Sequence, residues 1–378
     1  MLDPIKLTQD FICQNTCNPP GNEKIIADSI CALFEPLDIE IQEHIFDDNR
    51  SGLLLKITGE KSQEGSPLPL TFTGHFDTVP LGEVPWEHEP LSAEIIDGKI
   101  YGRGSSDMKS GVAAFLAAIY NNIDVIKQGY GCICILTACE ELACQGAKKM
   151  AADGILPKAI GPLIIAEPTG NQIRIGHKGV FWTELTFNGK AAHGSMPHEG
   201  SSAIEAAIKF IETLKKDLKA VAYHHPDFGE ATLNIGEIKG GTAINLVADQ
   251  CKLKLDIRLT PSTSSQDMIE LFDELLKHYD ASYEILDAGD SVYTPETNEF
   301  VQLVSHVAKK VGADEEVHLP LTFFTDGSPI LKACSSPAAI IYGPGETAMC
   351  HKVNEFAYIQ KIKQAYEVYS QIIKDYNQ

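Results

Sequence analysis

The sequence predicts an α/β fold: a layered sheet-and-helix domain interrupted by a smaller α+β domain. Three observations support this. Short, wholly apolar runs alternate with helical patterns through the first half, as they do where strands are buried on both faces. From about Val180 the order changes to strand, helix, strand, strand, helix, strand, the ferredoxin-like split unit. After about residue 290 a helix-rich tail restores the first pattern. The limits read from this are 1–179 together with 291–378 for the larger domain and 180–290 for the inserted one. A chain of 378 residues accommodates both at ordinary domain size.

In chain order, LPLTFTGHFDTVP reads as a buried strand over Leu68 to Thr73 that ends at Gly74 and delivers His75 and Asp77. MKSGVAAFLAAIYNN reads as a helix starting just after Asp107. CICILTACEE is a second buried strand ending at Glu140 and Glu141, and PLIIAEPT a third ending at Glu167. In the inserted domain, VFWTELTFNGK is strand-like and SSAIEAAIKFIETLKK has helical periodicity. TLNIGEIKGG and CKLKLDIRLTP are strands, SQDMIELFDELLKHYD a helix, and ASYEILDA the last strand. The tail carries IIYGPGETAMCHKVNEF, a strand followed by a glycine-rich loop that holds His351. GEKSQEGSP reads as a polar hairpin or loop.

Composition narrows the function classes. Apolar residues at 44% and charged residues at 22% are enough to bury a full core. With 31 basic against 52 acidic residues the net charge is −21, which repels phosphate backbones, so no nucleic-acid partner is expected. No run approaches the roughly 18–20 apolar residues needed to cross a bilayer, so no membrane partner is expected either. MLDPIKLTQDF lacks a basic segment leading into an apolar one, so a cytoplasmic location is expected. Ten cysteines in a chain of this size, several inside apolar runs such as GCICILTAC, read as reduced packing thiols. Cys13 and Cys17 have the spacing of half a zinc site, but no second pair follows.

Three strands of an α/β sheet thus end in side chains able to bind metal, at the edge where such sheets gather ligands. Zinc takes imidazole and carboxylate ligands, and paired ions share a bridging carboxylate. His75, Asp107, Glu141, Glu167 and His351 supply one bridge and two terminal ligands per ion. A lone histidine at a strand end is more often structural, and adjacent glutamates are usually solvated charges. Here every candidate falls at a strand end or in a glycine-rich loop, and burying unpaired charge there is costly.

GHFDTVP, YGRGSSDMKSG, TACEE, EPT and GPGETAMCHKVNE, in that order, resemble the motifs of one co-catalytic zinc family. It includes acetylornithine deacetylase, succinyl-diaminopimelate desuccinylase, aminoacylase and carboxypeptidase G. The resemblance runs nearly end to end and extends into the inserted domain through NGKAAHGSMPHEGSSAI and GGTAINLVADQCKLKLDIR. It implies a mixed-sheet, zinc-exopeptidase-like catalytic domain, and an inserted domain that serves as lid and as dimerisation surface.

The resemblance also implies roles. Asp107 bridges two divalent ions, zinc first with cobalt or manganese as alternatives. His75 and Glu167 complete one ion, Glu141 and His351 the other. Asp77 clamps His75, and Glu140 acts as general base. A cis peptide follows Asp107. His193 donates to the oxyanion from the partner subunit of a homodimer. Arg258 grips a substrate carboxylate, while Asn245, Thr325 and Gly343 match further substrate contacts. Glutamate at position 167 points to hydrolysis of a small N-acyl amino acid rather than a peptide. Between acetyl and succinyl substrates the residues divide: Ser328 stands where the desuccinylase has an arginine, yet CHKVNE is nearer the desuccinylase's last motif. A dipeptidase or carboxypeptidase of the same family, and a catalytically silent binding homologue, stay open as alternatives.

Overall fold

A computed structural model of the chain describes residues 1–221 and 224–378 and divides into two compact units. The first comprises Met1–Gly176, Tyr293–Leu319 and Thr325–Gln378; the second comprises His177–Val292 and Pro320–Phe324. The limits 180–290 fall inside the second unit. Nothing in the sequence marks Pro320–Phe324 as part of it. That segment joins because the Lys178 N–H donates to the Leu321 carbonyl (3.0 Å) and the Phe324 ring stands edge-on to His177.

The first unit is built on an eight-stranded mixed sheet. Its order is Glu40–Asp47, Arg50–Ile57, Cys132–Thr137, Leu70–His75, Leu163–Ile165, Ala339–Ile341, Ile173–Arg174 and Val317–His318. The central neighbours, Cys132–Thr137 with Leu70–His75, and Leu163–Ile165 with Leu70–His75 and Ala339–Ile341, run parallel. Every residue of these four strands is buried, which accounts for their unbroken apolar runs. The helix Ser110–Asn121 is apolar on nearly all sides because it packs on the sheet and also against the helices Pro4–Ile12 and Ile359–Asn377. Phe72 on the central strand stacks on Phe115 of that helix (ring centroids 5.4 Å) and meets Tyr369 of the C-terminal helix edge-on (5.5 Å). Each such pair contributes about 0.5–1.5 kcal/mol beyond its buried area. Chain segments 254 residues apart, at Phe115 and Tyr369, are thereby fixed behind the strand that ends at His75.

The strand ends differ from the expected ones by a few residues. The His75 strand runs Leu70–His75, so His75 itself closes the ladder. The second strand stops at Thr137 rather than Glu140, because Cys139 takes up a left-handed backbone (φ 60°) that turns the chain out of the ladder. The third stops at Ile165, two residues before Glu167. The helix expected just after Asp107 starts at Ser110, after a wide turn over Ser105–Lys109.

In the second unit, strands Gly179–Asn188, Thr232–Gly240, Gln250–Leu259 and Ala281–Gly289 form an antiparallel sheet. Its order is Thr232–Gly240, Gln250–Leu259, Gly179–Asn188, Ala281–Gly289. With the helices Ala203–Val221 and Ser265–Leu276, the chain order is the split β-α-β-β-α-β unit. Alternate strand residues (Phe181, Leu185, Phe187 and Leu253, Leu255, Ile257) point into one core against Phe210 and Phe272 of the helices. The second helix starts in a capping box, with Ser264 and Asp267 satisfying each other's end N–H groups.

Candidate metal centre

The strands of the first unit end together at the carboxyl edge of the sheet, and the chain turns there bring the candidate ligands into one cluster. Asp107 stands at its middle. Its Oδ1 lies 3.3 Å from His75 Nε2 and its Oδ2 lies 3.4 Å from His351 Nε2. Glu167 Oε1 approaches His75 Nε2 at 3.8 Å, and Glu141 Oε2 approaches His351 Nε2 at 3.0 Å. Two ligand atoms on one tetrahedral zinc lie about 3.4 Å apart, given bonds of about 2.0–2.1 Å to nitrogen and about 2.0–2.2 Å to oxygen.

The residues fit a pair of cations on their own chemistry. His75 Nε2 and Glu141 Oε1 are buried without any hydrogen-bond partner among the described residues. Four carboxylates, Asp107, Glu140, Glu141 and Glu167, face two imidazoles. Burial drives the Glu140 and Glu167 carboxyls well above their ordinary range, against the pull of the His75 ring. Burial alone would lower His75, but the neighbouring carboxylates of Asp107 and Asp77, then the charges of Glu140 and Glu167, raise it well above 6.5. His351 is pushed up to about 10 by Asp107 and Glu141. The imidazoles are thus asked to supply positive charge that divalent ions would supply better. A mixed nitrogen and oxygen set of this kind suits zinc, cobalt or manganese.

Each candidate ligand is positioned by identifiable neighbours. The Asp77 carboxylate accepts the backbone N–H groups of Glu140 (3.0 Å) and Glu141 (3.3 Å) and the side-chain amide of Asn18 (3.0 Å). The nearest acceptor for His75 Nδ1 is the Asp77 backbone carbonyl at 3.0 Å, with the carboxylate at 3.4 Å. Asp77 therefore steers His75 largely through its main chain, while its side chain pins the Glu140–Glu141 turn. The two glutamates diverge: Glu141 reaches His351, whereas Glu140 Oε2 faces His75 Nε2 at 3.9 Å. Glu140 also turns Oε1 toward the thiol of Cys144 (3.5 Å).

Asp107 is held by a residue without a role in the sequence reading, Glu355. Its fully buried carboxylate accepts the N–H groups of Ser106 (2.9 Å) and Asp107 (3.0 Å) on one oxygen. The other oxygen accepts Gly104 N–H (3.0 Å) and the Arg103 guanidinium (2.8 Å). Lys109, also buried, ties the same turn to the end of the first helix and the turn after it through the Phe11 and Gln14 carbonyls (2.9 and 2.8 Å). The peptide between Asp107 and Met108 is cis. The position of Glu355 four residues after His351, in the same motif, is the one sequence signal that could have singled it out. Asp326, beside Thr325 in FTDGS, carries no such signal; only the fold shows that it is buried next to Thr137 and Cys144.

Two expected substrate contacts of the first unit also have structural contacts of their own. Thr325 is fully buried, and its hydroxyl accepts the Gly327 N–H (3.1 Å) at the start of the helix Gly327–Ala333. Gly343 packs so closely on the chain before it that a Cβ there would lie 2.3 Å from the Ala166 carbonyl oxygen and 2.5 Å from that of Glu167. It permits the loop that backs Glu167. In the second unit the structure brings His193 and Asn245 together: Gly194 N–H donates to the Asn245 carbonyl (2.7 Å), and His193 bridges to Leu246. The His193 ring nitrogen Nδ1 lies 2.7 Å from the Ser195 hydroxyl. Arg258 engages Asp256 with both ends of its fork (2.9 and 3.1 Å) and lies over the Trp182 ring. Among the described residues no helix is long and apolar enough to cross a membrane.

Comparison with known proteins identifies the family. The chain is 28% identical over 405 aligned positions to a probable succinyl-diaminopimelate desuccinylase of Staphylococcus epidermidis, covering 99% of this chain and 98% of that one. It is 30% identical over 318 positions to an acetylornithine deacetylase of Proteus mirabilis, covering 81% and 79%. Among solved structures, its fold is similar to the aminopeptidase PepT of Bacillus cereus (TM-score 0.76, 20% identity, 99% and 98% covered). It is also similar to a dinuclear metal binding peptidase of Bacillus subtilis (TM-score 0.71, 15% identity, 98% and 96% covered). Residues 71–375 match Peptidase family M20/M25/M40, and the chain belongs to that family of hydrolases.

Proposed function

We propose that this protein hydrolyses the amide bond of a small N-acyl amino acid at a two-metal centre. One observation carries the reading: the two oxygens of Asp107 address two different histidines, His75 and His351, each with its own glutamate, Glu167 or Glu141. Relatives named desuccinylase, matched nearly end to end, and deacetylase, matched over 81% of this chain, support the acyl-amino-acid class.

Divalent ions bound at such a centre polarise the scissile carbonyl and acidify water. The protein's own groups do the rest. Glu140 projects beside His75 without being drawn to His351, so it is free to take a proton from water and return it to the leaving amine. Asp77, by holding the backbone of Glu140 and Glu141, sets the base and a ligand in fixed relation. His193 serves as oxyanion donor to the partner subunit of a homodimer paired through the inserted unit. Arg258 exchanges Asp256 for the substrate carboxylate, which its planar fork fits bidentately.

The test combines metal analysis with a release assay. Metal-stripped protein is reloaded with zinc, cobalt or manganese and offered acetyl- and succinyl-amino acids alongside dipeptides. Two ions bound, and turnover of acyl-amino acids well above that of dipeptides, are expected. Preferential cleavage of dipeptides would make the protein a peptidase, and full turnover without metal would end the two-metal reading. Binding of ions with no turnover of either class would assign it to the silent homologues.

A further inference from the structure

Glu140 has a second neighbourhood on the side away from His75. A Glu140 carboxylate oxygen, the Cys144 thiol and an Asp326 carboxylate oxygen lie within 4.8 Å of one another. Cys144 is 1% exposed and Asp326 2%. The pocket holds more acceptors than donors. Asp326 Oδ2 accepts the Thr137 hydroxyl, while its Oδ1 is buried with no donor among the described residues. The thiol has a single hydrogen for two facing carboxyls, Glu140 Oε1 at 3.5 Å and Asp326. Burial, then the facing Glu140 and Asp326 carboxylates, push the thiol well above its ordinary range.

We propose that Glu140, Cys144 and Asp326 form a third, inhibitory cation site, selective for thiophilic divalent ions such as zinc, cobalt or cadmium. The spacing fits. With metal–sulfur bonds of about 2.3 Å and metal–oxygen bonds of about 2.1 Å, a sulfur and an oxygen on one tetrahedral ion lie about 3.6 Å apart, close to the 3.5 Å between Cys144 Sγ and Glu140 Oε1. One thiolate and two carboxylates leave a fourth position for water. Magnesium and calcium, which prefer all-oxygen shells, are excluded by the sulfur. Binding replaces the thiol proton by the ion and releases that proton to solvent, and the orphaned Asp326 oxygen gains a partner.

The consequence for turnover follows from the two ends of one carboxylate. Glu140 Oε2 faces the two-metal centre and Oε1 faces the third site. An ion on Oε1 withdraws electron density from the base and fixes it away from the reacting water. The protein is then activated by the first metal equivalents and switched off by excess. The inhibition depends on the proposed role of Glu140 as base; the binding does not.

Cobalt titration of the metal-stripped protein tests the two parts separately. The first two equivalents bind imidazole and carboxylate and are expected to give visible bands only. A further equivalent is expected to add a near-ultraviolet thiolate-to-cobalt band together with inhibition of about 100-fold or more at saturation, the loss due to disabling a general base. Cys144→Ala should lose that band and the inhibition, each judged against the variant's own uninhibited rate, and keep the first two equivalents. Cys144→Ser covers the case in which alanine disturbs the turn, and Asp326→Asn should weaken the third equivalent by about 10–100-fold. A thiolate band unchanged in both Cys144 variants, or excess-metal inhibition equal to that of the wild type, overturns the third site. A Cys144-dependent band without inhibition keeps the site and removes Glu140 as base, whereas failure of the first two equivalents to bind removes the two-metal reading alone.

Discussion

Replacing Glu355 by glutamine probes how much of the candidate metal centre depends on a group outside the ligand cluster. Glutamine keeps an oxygen for the N–H groups of Ser106 and Asp107 but turns an amide NH2 toward Gly104 N–H and Arg103, which now face a donor. Two hydrogen bonds to a buried charge are lost, each worth about 1.5–3 kcal/mol. Arg103 is not stranded, since it still donates to the Lys352 and Pro80 carbonyls (3.1 and 3.2 Å) and lies over the Trp86 ring. The net loss is therefore about 3–5 kcal/mol, the range that breaking a buried ion pair costs. That is a large part of an ordinary folding stability of about 5–15 kcal/mol. Because Glu355 holds the peptide that carries Asp107, metal affinity should fall as well, by about 10–100-fold, as it does when the groups supporting ligands are removed. Urea unfolding of the metal-free protein reads the first effect, and competition with a chromogenic chelator reads the second. Stability within about 1 kcal/mol of the wild type would refute the energetic argument. A destabilised variant with unchanged metal affinity would refute the positioning argument while leaving Glu355 a structural residue.

Glu140→Gln should retain both metal equivalents and lose about 10²–10⁴-fold or more in turnover; loss of an ion from this variant, with both retained in Glu141→Gln, would reverse the two roles. Mixing Glu140→Gln with His193→Ala subunits should restore activity through heterodimers that hold one intact site, and subunits that exchange without restoring it would place the donor in its own chain or elsewhere. His177 is fully buried, and burial lowers it from 6.5 to about 4, so the folded protein keeps it neutral while the unfolded chain protonates it. Its contribution is complete above pH 6.5 and is lost as the pH falls from 6.5 to 4. That amounts to about 3 kcal/mol, which unfolding curves of wild type and His177→Gln at the two pH values should show as a difference in slope.

The sequence alone determines the elements. Buried parallel strands need apolar side chains on both faces, and this leaves unbroken runs such as CICILT and PLII. The inserted unit's strands bury one face only and leave alternation instead. Polar residues that follow such runs, His75 and the glutamates at 140, 141 and 167, stand out for the same reason: a buried charge there needs a partner. What only the tertiary structure decides is which distant groups supply that partnership. Asp107 meets histidines 32 residues before it and 244 after it, and Glu355 reaches back across 248 residues to the Asp107 amide. No local periodicity encodes such contacts. The same holds for Thr325 and Gly343, whose motifs look alike whether they line a substrate or hold a helix and a loop in place. It holds also for Cys144, an unremarkable thiol in the sequence, which closure of the sheet edge brings against Glu140 and Asp326. Backbone propensity and burial pattern are properties of neighbouring residues and are written along the chain; charge pairing in a buried site depends on distances that exist only once the strands have stacked.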